Sequence, residues 1–152
     1  MSEHRINDFV GTWHLVSTQF RTEDGSPVES PYGSTPQGIL IYDSHGNMAA
    51  QLSQGKRRPF SVNDRKGGSD AETRAAFESY QAYYGTYRID ENEGVVIHTV
   101  TQALLPNWIG GEQKRRYEFS DGKLILRTPS MMIGGKPVSG TLVWEKAATL
   151  AD

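Results

Sequence analysis

The chain has 152 residues, 16 Lys and Arg against 18 Asp and Glu, a formal net charge of -2 and no cysteine. No disulfide framework or thiolate chemistry is possible without cysteine. A charge so near zero argues against nucleic acid or an acidic membrane as partner. The length fits one domain, read as residues 1–152 with a core at about 8–146, and a domain of this size folds without staples.

The opening Met1-Ser2-Glu3-His4-Arg5-Ile6-Asn7-Asp8 has no basic start followed by an apolar run, and no apolar stretch is long enough to span a bilayer. A soluble, cytoplasmic protein is therefore expected. Strands are predicted at roughly 11–21, 37–43 and 47–53, the last two separated by the turn signal Asp43-Ser44-His45-Gly46. Gln54 to Gly68 is polar and basic and reads as a solvated loop. A helix follows: Ser69 can cap it, Glu72 completes a capping box, and Phe77 with Tyr80 supply one apolar face. Five more strands are predicted at roughly 83–90, 95–103, 112–119, 123–128 and 138–146. Glu91-Asn92-Glu93-Gly94, Ser120-Asp121-Gly122 and Gly134-Gly135 provide turns in this half.

Strand side chains point to opposite faces in turn. Lys114, Arg116 and Glu118 form a charged, water-facing row, which leaves Gln113, Arg115, Tyr117 and Phe119 facing inward. By the same alternation Tyr83, Gly85, Tyr87 and Ile89 point in. With Asp90 opposite Val95, so do Val96, His98, Val100 and Gln102, placing His98 across from Tyr87. Leu124, Leu126, Leu142 and Trp144 complete an apolar, aromatic interior that contains a few polar groups. A fully packed small β-protein has little reason to bury Arg115, because an unpaired buried charge is costly. A barrel with a cavity has one. The predicted fold is all-β: a single antiparallel up-and-down barrel of about eight strands with one short helix, wide enough for one small ligand.

Several segments resemble the lipocalin-like domain family of short bacterial and fungal proteins, a calycin-type barrel. They are Gly11-Thr12-Trp13-His14-Leu15, Gly38-Ile39-Leu40-Ile41-Tyr42, Tyr83-Tyr84-Gly85-Thr86-Tyr87, Pro106-Asn107-Trp108-Ile109-Gly110, Leu124-Ile125-Leu126-Arg127-Thr128-Pro129 and Leu142-Val143-Trp144. The resemblance implies a pocket for a small hydrophobic molecule, a minority of such barrels being isomerases or cyclases. It also implies a basic residue near the end of the last strand packed over the opening tryptophan. Here Lys146 takes that place over Trp13, the two closing the bottom of the barrel.

The leading expectation is binding of an aromatic, polyketide-like or lipid-like molecule against Tyr42, Met48, Tyr87, Tyr117, Leu126 and Trp144, with His98, Gln113 and Arg115 as polar contacts. The alternative is a cofactor-free isomerase, cyclase or dehydratase of a biosynthetic pathway. In it His98 transfers a proton while Tyr87 and Arg115 stabilise an enolate oxygen. A barrel filled by its own side chains is the third possibility. Trp108 either covers the mouth or packs against the helix, and the apolar run Met131-Met132-Ile133 reads as a hairpin tip or oligomer contact ahead of a gate. His4, His14, His45 and His98 lack metal-ligand spacing, so no metal and no cofactor are expected. The protein is expected to be a monomer or homodimer.

Overall fold

Short turns set the architecture. Asp121 and Gly122 both have positive φ, as do Gly134 and Gly135. Such pairs make the tight two-residue hairpins whose twist matches that of the flanking strands. The computed structural model describes residues 3–150, apart from the side chains of the first two. In chain order the elements are α1 (Glu3–Phe9), β1 (Gly11–Thr22), β2 (Pro27–Val28), β3 (Pro36–Tyr42), β4 (Asn47–Gln54), α2 (Asp70–Glu78), β5 (Tyr80–Asp90) and β6 (Val95–Ala103). A 3-10 turn (Pro106–Trp108), β7 (Glu112–Ser120), β8 (Lys123–Arg127), β9 (Met131–Ile133) and β10 (Lys136–Lys146) complete the chain.

Eight strands pair antiparallel in the order β1-β3-β4-β5-β6-β7-β8-β10, and β10 pairs back to β1 to close a barrel. The short β2 and β9 extend β1 and β10 at one end. Successive barrel strands run up and down. The turns at 43–46, 91–94 and 121–122 and helix α1 therefore share the lower end, while segments 23–35, 55–79, 104–111 and 128–135 share the upper end. Among the described residues no helix is long and apolar enough to cross a membrane.

The expected up-and-down barrel is the observed fold, and its eight strands match those read from the sequence with shifted ends. Asp90 does pair with Val95, and His98 with Tyr87. The Ser69 capping box is present as well. Three local expectations are corrected. Tyr80 is not on the helix: α2 stops at the Ser79 cap, Tyr80 opens β5, and Phe77 stays largely exposed. Gln102 points out. The ladder between β5 and β6 bulges at Tyr84/Gly85, so Gly85 faces Val100 and Tyr84 faces Gln102, which hands the inward position to Ala103 opposite Tyr83. A bulge inserts one unpaired residue and so reverses parity beyond it. Only glycine fits at its corner, because a Cβ on Gly85 would lie 1.8 Å from the Thr99 carbonyl oxygen.

The third correction is the additional helix α1, which stoppers the lower end. Phe9 is completely buried, with its ring centre 5.6 Å from that of Tyr42 and 5.1 Å from those of Tyr117 and Phe119, all edge-to-face. Trp13 Nε1 donates to the Phe9 carbonyl at 2.9 Å, and Arg5 lies over Tyr117 and Phe119 from outside. Lys146 pairs with Trp13 across β1 and β10 and sets its ammonium 5.3 Å from the indole centre. The lower half of the barrel is thus filled by aromatic rings.

Candidate functional site

Above this plug the interior is open. Leu40, Ala50, Leu52, Leu126 and Leu142 wall a cavity floored by Trp144 and topped by Phe20, Tyr32, Trp108, Met131 and Ile133. The strands supply the wall by alternation, whereas the cover comes from segments at the upper end. Tyr32 packs on Phe20, and Trp108 meets Tyr83 edge-on at 5.3 Å. Met131 and Ile133 face inward on β9, while Met132 between them points to solvent. Trp108, Met131 and Ile133 thus line the cavity at its upper end.

The space between wall atoms is about 590 Å³ with the solvent at the mouth included, and the centre of a water molecule can move through about 70 Å³ of it. The enclosed part is therefore small and opens at the mouth.

Three polar side chains meet in the wall. His98, in the middle of β6, is 1% exposed, and both its ring nitrogens are engaged. The Tyr42 hydroxyl lies 2.6 Å from Nε2 and the Tyr83 hydroxyl 2.7 Å from Nδ1. Burial, reinforced by the nearby Arg115 charge, holds the imidazole well below its ordinary pKa, so it is neutral. A neutral imidazole donates from one nitrogen and accepts at the other. Among the described residues His98 is the hydrogen-bond partner of the Tyr42 hydroxyl, which is fully buried. A Tyr42 oxygen that only accepted would strand its own proton. The assignment that satisfies the buried groups has Tyr42 donating to Nε2 and Nδ1–H donating to Tyr83. Burial also raises both phenols above their ordinary pKa, Tyr42 far above, so both stay protonated.

Arg115 reaches in from β7 and is 7% exposed. It donates to the Lys114 carbonyl at 3.1 Å and the Gln113 side-chain oxygen at 3.3 Å, and its charge acts on the nearby Tyr83 hydroxyl. Among the described residues no carboxylate forms an ion pair with it. Trp144 Nε1 is buried on the same cavity with no hydrogen-bond partner among them.

His98, Arg115, Leu126 and Trp144, four of the residues singled out from the sequence, thus share one cavity wall. Tyr42 stands directly behind His98. The other four lie off the wall. Met48 is buried low in the barrel, opposite Tyr42 and Gly85. Tyr87 packs at a tilt against Tyr42 and its O–H donates to the Asp43 carbonyl at the lower turn. Tyr117 packs beneath Phe9, and Gln113 sits beside Arg115 as its acceptor. All four point inward, as alternation requires, but at heights where α1 or the network occupies the space. Sequence reasoning placed Tyr83 and Leu142 inward without a role, and passed over the wall residues Leu40, Ala50 and Leu52. The pairing of inward positions on adjacent strands at the height of His98 was the available signal.

The chain matches the family model of the lipocalin-like domain over residues 10–147. No curated protein matches it significantly.

Proposed function

The chain belongs to the lipocalin-like domain family, and on that premise we propose that its barrel binds one small, largely apolar molecule in the upper cavity. The observation that carries this reading is the coexistence of an apolar hollow with polar groups buried on its wall. A barrel filled for stability alone would leave neither the hollow nor Trp144 Nε1 without a partner. The small enclosed volume favours a compact ligand over a long chain or a fused polycycle. His98 serves as a fixed strut in this reading: both its nitrogens are taken, and a proton drawn from Tyr42 through the ring leaves a phenolate in the barrel interior.

The test is native mass spectrometry of the protein as isolated, followed by an NMR titration with toluene. A co-purifying small molecule is the expected result, or methyl shifts centred on Leu40, Leu52, Leu126 and Leu142. A bare mass together with unshifted methyls at millimolar toluene refutes the binding role.

A further inference from the structure

Resting on that reading, we propose that the ligand is a small carboxylic acid bound as its anion, with the carboxylate on Arg115 and the apolar body against Leu40, Leu52, Leu126 and Leu142.

Among the described residues the cavity wall contains one charged side chain, Arg115, and no Asp or Glu. A buried cation without a counter-charge is costly, and the described protein supplies Arg115 only neutral acceptors. A guanidinium has five N–H donors. The Lys114 carbonyl and Gln113 account for two, which leaves donors of the fork free for a ligand. Two N–H groups on one planar fork match the two oxygens of a carboxylate.

The remaining polar atoms on the wall point the same way. Trp144 Nε1 is a donor with no acceptor. The Tyr83 oxygen receives Nδ1–H of His98, so its own proton is available to a ligand. The imidazole acceptor, by contrast, is occupied: His98 Nε2 takes the Tyr42 proton. A wall with spare donors and a fixed positive charge calls for a ligand that accepts and carries negative charge. A carboxylate offers about four acceptor sites and no donor. An amide or an alcohol of the same shape offers no charge to meet the guanidinium.

Two acid–amide pairs test this by isothermal titration calorimetry: benzoate against benzamide, and phenylacetate against phenylacetamide, with toluene as the neutral reference. The expected result is that at least one acid binds roughly tenfold or more tighter than its amide. Arg115→Met then erases the difference while toluene binding persists. Trp144→Phe weakens the acid by several fold and leaves toluene within about twofold. Should Arg115→Met not fold, the wild-type ratio and Trp144→Phe still decide. Amides that bind as well as their acids overturn this proposal and leave the apolar cavity function intact. Toluene binding without binding of either acid does the same. Failure of all five probes, toluene included, overturns the function on which the proposal rests.

Discussion

His98 makes the stability of the barrel depend on pH in a way that can be worked out beforehand. In the folded protein burial and the Arg115 charge keep its pKa well below the ordinary value, whereas the unfolded chain protonates it at about pH 6.5. Below that pH the unfolded state binds a proton that the folded state refuses, so stability falls with falling pH; above it this group contributes no slope. Between about pH 7.5 and about pH 5.5 the loss integrates to about 1.4 kcal/mol, provided that the folded pKa lies below the lower limit. His98→Gln removes the titrating group and retains one donor and one acceptor for the two tyrosines. Urea unfolding followed by circular dichroism at both pH values measures the result as a difference of differences. Wild type is the more stable protein at the higher pH, and its advantage over His98→Gln shrinks by about 1.4 kcal/mol at the lower one. Asp43 and Glu72, whose carboxylates are held down mainly by hydrogen bonds from backbone N–H groups, titrate in both proteins and cancel. An unchanged advantage would refute the neutral, doubly bonded imidazole. A growing one would mean that the folded state favours the charged ring.

Gly85→Ala forces a Cβ to 1.8 Å from the Thr99 carbonyl oxygen, backbone against backbone, and should cost more than about 3 kcal/mol in urea unfolding. Gly140→Ala meets only the Phe20 ring, at 2.6 Å, and should cost about 1 kcal/mol as the ring swings. The two buried indoles should separate in the same assay. Trp13→Phe loses the bond to the Phe9 carbonyl and the Lys146 contact and should cost about 1–2 kcal/mol, while Trp144→Phe deletes an N–H with no acceptor and should cost less than about 1 kcal/mol. Ser69→Ala breaks the capping box of a helix that buries no residue, at a local cost of about 1 kcal/mol. Hydrogen exchange should quicken over residues 70–78 while the global unfolding midpoint barely moves.

The sequence by itself determined the strands and their inward faces. Alternation is a local property, and one row of charges on Lys114, Arg116 and Glu118 was enough to send Arg115 and Tyr117 to the interior. The hairpins were equally local: Asp121-Gly122 and Gly134-Gly135 tolerate positive φ, and that fixed the register around them. Alternation is silent about height along the barrel axis, however. Tyr117 and Arg115 are neighbours on one face of β7, yet one is covered by α1 and the other faces the cavity. That difference depends on a seven-residue helix whose visible signal was a lone Ile6 and Phe9 three apart, too short a run to establish a period. The bulge at Gly85 was hidden for a related reason, since a glycine in a strand looks the same whether it pairs regularly or turns a corner. Tertiary structure also decided what the polar groups do. The Tyr42–His98–Tyr83 network joins three different strands, so its bonds exist only once the barrel closes, and closure is what leaves Trp144 Nε1 and part of Arg115 without protein partners.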